Sequence, residues 1–213
     1  MIGPHDVTSI FGIRGSGKST LSRNLSSIYP RLVIFDRLGE WGDIDGFTCS
    51  DAESFSKIWK DHFGEASFKI VVSFEPGTDG DDLQREFSAI LKTIYNTGRS
   101  GLSEYSTCLV IEEAQFYSSP QSINPWLFEV CLTGRHAKIA IILNSQRPAS
   151  IHKSLISQSH NLFVGQLFEM RDIKYLTDTI GDAAFRARSL PQGAFLWHRL
   201  GCPVRVVNSK PEK

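Results

Sequence analysis

The amino-acid sequence predicts an α/β chain: a mainly parallel central sheet, helices on both faces and a C-terminal β-hairpin. Three observations carry this. Short runs rich in Val and Ile, apolar at nearly every position, alternate with amphipathic stretches, as strands buried on both faces alternate with the helices that cover them. A Gly-rich loop sits between the first such run and the first helical stretch. The length of 213 residues suits one domain spanning 1–213, with a hairpin at about 193–207 and a tail at 208–213.

Taken in order, the first predicted strand is Val7–Gly12. It leads into Gly12-Ile13-Arg14-Gly15-Ser16-Gly17-Lys18-Ser19-Thr20, a complete GxxxxGK[ST] loop, and then into a helix over Lys18–Ile28. The glycines allow backbone N–H groups to turn inward around β- and γ-phosphate oxygens, and the helix start adds its positive dipole end. Lys18 would bridge those phosphates, Ser19 would ligate Mg²⁺, and Thr20 would support the α-phosphate side. A Gly-rich turn with a chance lysine is the structural alternative, but strand and helix both stand where a nucleotide site needs them.

Strand Leu32–Asp36, helix Ala52–His62 and strand Phe68–Phe74 follow. In the helix predicted over Asp81–Thr97, Leu83, Phe87, Ile90, Leu91, Ile94 and Tyr95 recur at helical spacing as a core-facing stripe. Strand Thr107–Glu112 ends in two adjacent acids. Glu112 would hold Mg²⁺ through water, and Glu113 would polarise an attacking water as general base. Neighbours on an extended strand face opposite ways, so both can point inward only if the strand has already ended. Helix Trp126–Thr133, strand Ile139–Asn144, strand Leu162–Gly165 and helix Asp172–Ile180 complete the alternation. Ala194–His198 and Val204–Val207 flank a Gly-Cys-Pro turn as a hairpin at the sheet edge, and Lys210–Lys213 reads as a frayed end.

Composition sets bounds. An apolar fraction of 41% with 22% charged residues fits a folded core and excludes wholesale disorder. No run approaches the roughly 18 apolar residues of a transmembrane helix, and Met1–Gly12 lacks the form of a signal peptide. Equal counts of 23 basic and 23 acidic residues argue against coating nucleic acid through bulk positive charge, while leaving room for a local basic patch. Cys49, Cys108, Cys131 and Cys202 form no CxxC pair, and the six histidines form no HExxH pattern. A reducing, cytosol-like compartment is the expectation.

Beyond the phosphate loop, an ordered series of motifs resembles the FtsK/HerA superfamily of DNA-pumping ATPases. Leu32–Asp36 followed by Gly39-Glu40-Trp41 is similar to the HerA-type second strand and its Gly-Glu-aromatic sequel. Ile111-Glu112-Glu113-Ala114-Gln115 resembles its DEAH-like carboxylate segment. Gly134-Arg135-His136 with Asn144-Ser145-Gln146-Arg147-Pro148 resembles the Gly-Arg-basic, strand, Gln-Arg-Pro block, and Leu155–Asn161 the segment after it. The likeness covers about residues 7–200. Glu112 departs from the usual Asp, and Gln115 from a frequent His.

The resemblance implies a RecA-like (ASCE) P-loop NTPase using ATP and Mg²⁺. Gln146 would be the polar sensor of the γ-phosphate or lytic water. Arg135 would be the arginine finger inserted into a neighbouring subunit, with Arg147 as the rival. Asp36 and Glu40 remain signature residues without a mechanical role. Compact members resemble the genome-packaging ATPases of membrane-containing icosahedral viruses. The implied function is therefore a homo-oligomeric ring that pumps double-stranded DNA, without sequence preference, into a capsid. Capsid or membrane-vertex proteins would be docking partners, and the host cytoplasm or virion vertex the location. Phe116–Pro125 would couple hydrolysis to DNA; Lys57, Lys60, Lys69, Arg99, Lys138 and Lys153 are available cations, with nothing selecting among them. The alternatives are a HerA-like helicase or conjugation ATPase, a small-molecule P-loop kinase and a slow NTP-binding switch.

Overall fold

The six apolar runs all fold as strands and lie parallel in one sheet, in a computed structural model that describes residues 2–78 and 80–210. In chain order the elements are β1 (Val7–Phe11), α1 (Lys18–Ser26), β2 (Arg31–Phe35), β3 (Phe47–Cys49), α2 (Ala52–His62), β4 (Phe68–Val72), α3 (Gly80–Arg99) and β5 (Thr107–Ile111). They continue with α4 (Pro125–Thr133), β6 (Ile139–Ser145), α5 (Lys153–Ser157), β7 (Asn161–Val164), α6 (Met170–Ile180), β8 (Ala194–Arg199) and β9 (Arg205–Asn208). The sheet has nine strands in the order β3-β4-β2-β5-β6-β1-β7-β8-β9. Strands β1 to β7 all pair in parallel; β8 and β9 add on antiparallel, so the predicted hairpin extends the sheet past β7.

Alternation along each strand feeds two core layers. Val33, Phe35, Leu109, Ile111, Ile141 and Leu143 face one layer, with Phe55, Phe87 and Ile90 from the covering helices. Leu32, Ile34, Val110 and Ile142 face the other, closed by Leu21, Trp41 and Phe195. The α3 stripe is buried from Leu83 to Ile94, with Tyr95 half-buried at its end and Phe87 and Tyr117 stacked at 3.8 Å. Local signals set the helix starts. Asp51 accepts the Ser54 N–H at 2.7 Å to cap α2, and Asn124 caps α4 ahead of Pro125.

Differences from the sequence reading fall at ends and edges. β3 was not foreseen: it is three residues long, with two exposed, too short for a period-2 signal. α5, at five residues, was likewise not foreseen. The runs ending at Gly12, Asp36 and Glu112 stop one residue earlier as strands, because the chain turns there into the site loops. Asn208 and Ser209, read as tail, belong to the fold: Asn208 closes β9 and Ser209 is buried. Residues 211–213 of the expected frayed end lie outside the described residues. Among the described residues, no helix is long and apolar enough to cross a membrane.

Candidate active site

Parallel strands bring the chain's turns after β1, β2, β5 and β6 to one edge of the sheet, the edge where ligands of open α/β sheets bind. A cleft of about 950 Å³ opens there. Its floor is the loop between β1 and α1. Lys18 folds over that loop and donates to the carbonyls of Gly12 at 2.8 Å and Ile13 at 3.1 Å. Burial pushes the Lys18 ammonium below its ordinary pKa, while Glu113, Glu112 and Glu40 pull the other way. Ser16 Oγ is buried without a partner, one of the cradle's own polar atoms. Gly17 has φ +97 and a hairpin close by: an added Cβ would lie 3.2 Å from Ser209 Oγ and 3.3 Å from Gly193 Cα. Arg14, Gly15, Ser19 and Thr20 also line the cleft.

The turn after β2 supplies two further groups. Asp36, buried, accepts backbone N–H bonds from Leu38, Glu40 and Trp41 at 3.2, 3.1 and 2.8 Å. That wrap aims Glu40 at the Ser19 hydroxyl, which donates to its carboxylate, and the Trp41 indole N–H at Glu112 Oε1, 2.9 Å away. Arg23 of α1 lies over the Trp41 ring and pairs with Asp43 at 2.6 Å. The sequence marked Asp36 and Glu40 only as signature; their spacing after a strand end was the visible signal, and the contacts were not.

At the end of β5 the question of the two acids is answered by the backbone. The strand stops at Ile111, and Glu113 takes φ 52, ψ 57, a left-handed conformation uncommon for a non-glycine residue. Both Glu112 and Glu113 line the cleft as a result. Burial pushes the Glu112 carboxyl up to about 7; Glu40 and Asp36 push the same way, against hydrogen bonds from Trp41 and Asn144. Glu113 accepts from Gln146 Nε2 at 2.8 Å and from the Gln115 amide, whose own oxygen accepts from Ser145 Oγ at 2.9 Å. Gln146 sits just past β6, the strand between β1 and β5.

The two candidate fingers part company. Arg147 pairs within its own chain, with Glu169 and with Asp172 at 3.2 Å. Arg135, exposed, precedes β6 in a 3-10 turn (Gly134–Ala137), so a whole strand separates it from Gln146. Seven residues at about 3.3 Å each put it on the order of 20 Å from its own cleft.

The residues present fit a hard divalent cation. Ser19, Glu112 and Glu40 offer only oxygen, and Glu112, raised chiefly by burial and further by Glu40 and Asp36, is a carboxylate whose charge a cation would stabilise. Among the described residues, no three or more His, Cys, Asp or Glu are grouped to cage a metal alone. That suits an ion held largely by phosphate oxygens and water, as Mg²⁺ usually is.

One strand stands between the phosphate-loop strand and the carboxylate strand, and all three end in the cleft. This is a RecA-like P-loop NTPase fold. Comparison with solved structures agrees. The genome packaging NTPase B204 of Sulfolobus turreted icosahedral virus 2, in complex with ATP-gammaS, superposes with a TM-score of 0.74 at 20% identity, over 96% of this chain and 98% of that one. The cytoplasmic domain of the type VII secretion ATPase EccC of Thermomonospora curvata gives 0.60 at 15% identity, over 97% of this chain but 25% of its own. Among curated proteins, the DNA double-strand break repair helicase HerA of Sulfurisphaera tokodaii is 26% identical over 155 residues, 68% of this chain. The chain spans 30% of that relative's length. No protein-family model matches. The resemblance to FtsK/HerA-type packaging ATPases is borne out in these relatives.

Proposed function

We propose that the chain is one motor domain that hydrolyses ATP with Mg²⁺ to move double-stranded DNA, as a homo-oligomeric ring filling a viral capsid. The observation that carries the hydrolytic part is Glu113, turned into the cleft by its left-handed backbone and held at 2.8 Å by Gln146. A carboxylate so placed accepts the proton of a water attacking the γ-phosphate, and the products are ADP and phosphate. Lys18 exchanges its loop carbonyls for β- and γ-phosphate oxygens. Ser19 and Glu112 would hold Mg²⁺, whose charge would neutralise that of the phosphates. Gln146 touches the base and reaches the γ-phosphate end, so it registers whether that phosphate is present.

Arg135 is assigned as the finger in preference to Arg147, whose guanidinium is engaged by Glu169 and Asp172. Lying far from its own cleft, Arg135 can serve only another copy, and head-to-tail contacts of that kind form a ring where their rotation closes. The packaging reading draws on B204, whose length this chain matches nearly end to end. The HerA relative supports a second reading, a helicase-type motor with the same site.

The deciding experiment measures ATP hydrolysis with and without double-stranded DNA, alongside mass by light scattering with nucleotide present. DNA stimulation by an oligomer is expected. A monomer whose rate ignores DNA would overturn the translocase reading and leave the ATPase.

A further inference from the structure

The phosphate loop fixes where a triphosphate lies, and the rest of the nucleotide must go somewhere. Glu113 and Gln146 mark the terminal-phosphate end of the cleft. The nucleoside therefore leaves at the other end, past Thr20. A second cavity of about 510 Å³ opens there, with Gly17 and Thr20 on one side and Gln192, Asn208, Ser209 and Lys210 on the other. Gly17, Thr20 and Gln192 line both spaces, so the two are continuous. Its volume lies within the roughly 300–1,000 Å³ of ordinary small-molecule sites.

The far wall is the root of the C-terminal hairpin, and it is fastened to the phosphate loop. Gly193 N–H donates to Ser16 O at 3.1 Å, Gln192 Nε2 to Gly15 O at 2.9 Å, and Ser209 N–H to Gly193 O at 2.7 Å. Asn24 of α1 donates to Ser209 O. The wall is thus in position before any ligand arrives, which lowers the cost of binding. Its chemistry is polar: the Gln192 and Asn208 carboxamides both donate and accept, as the edges of a base and a ribose require, and Lys210 adds a donor.

We propose that this hairpin root is the nucleoside subsite, holding the base and ribose of ATP through Gln192 and Asn208. The proposal rests on the nucleotide reading of the phosphate loop and adds the part of the chain that recognises everything beyond the phosphates.

Calorimetric titration with ATPγS and with inorganic tripolyphosphate tests it. Asn208 is exposed and touches the loop with no side-chain hydrogen bond, so Asn208→Ala leaves the cradle intact. Asn208→Ala should weaken ATPγS about tenfold, the scale of one or two hydrogen bonds. Tripolyphosphate should bind this variant as it binds the wild type. Unchanged ATPγS affinity in Asn208→Ala would overturn the subsite, as would equal losses for both ligands. Lys18→Ala separates the two claims. If it abolishes tripolyphosphate binding, the phosphate site stands whatever the hairpin variant does; if it does not, the phosphate site fails and the proposal with it.

Discussion

Glu113 pays for its position with backbone strain: a non-glycine residue in the left-handed region costs about 1–3 kcal/mol. Two carboxamides, from Gln115 and Gln146, then fix the carboxylate. Glu113→Gln keeps shape and polarity and removes only the proposed base. Its kcat should fall by about 10²–10⁴ with nucleotide affinity within a few-fold of wild type; a variant that keeps its kcat would show that another group activates water. Glu112 makes a pH-dependent claim. Its carboxyl is raised from 4.5 to about 7, so the folded state holds this proton more tightly than the unfolded chain does. The contribution to stability is therefore greatest below about 4.5 and is lost as pH rises through about 7. Glu112→Gln removes that loss. In urea unfolding with EDTA and no nucleotide, it should gain about 3 kcal/mol over wild type between pH 4 and pH 8. An advantage equal at both pH values would refute the burial argument.

Among the elements, the turn that carries Arg135 is set by a close approach. The last turn of α3 passes so near the 3-10 turn that a Cβ on Gly98 would lie 2.1 Å from Ala137 O, a backbone atom that cannot swing aside. Gly98→Ala should cost roughly 1–3 kcal/mol or more in denaturant unfolding, and should shift amide resonances over residues 134–138. Unchanged stability would mean that the two elements are not held together as described. The long elements were legible because their signals are long: β1, β2, β5 and β6 are apolar throughout, and the α3 stripe runs over several turns. The phosphate loop and the acid pair were legible because their residue types are specific to the chemistry. The Asp36 wrap, the Trp41–Glu112 bond and the Ser209–Gly17 contact were not, since each joins residues tens to almost two hundred positions apart or depends on a turn's exact path. Glu113 lies between: the sequence posed its geometrical difficulty, and one backbone angle resolves it.

At the scale of the assembled molecule, the proposed ring would place Arg135 and Glu113 in different active sites. Subunits carrying Glu113→Gln would lack the proposed base but still offer a finger; those carrying Arg135→Ala would keep their base and miss a finger only for a neighbour. Mixing the two inactive preparations should restore hydrolysis at intermediate ratios, and an absence of rescue at every ratio would exclude Arg135 as a finger in trans. In that arrangement β6 takes on a meaning beyond its place in the sheet. One end of this seven-residue strand leads into Gln146, which would read the nucleotide of its own subunit; the other follows Arg135, which would act on the next. Held between β1 and β5 by hydrogen bonds along both edges, it is stiff. A displacement at one end of so braced a strand would be carried to the other without any helix having to move. News of hydrolysis would then pass around the ring in a single rotational sense, set by which way this strand points.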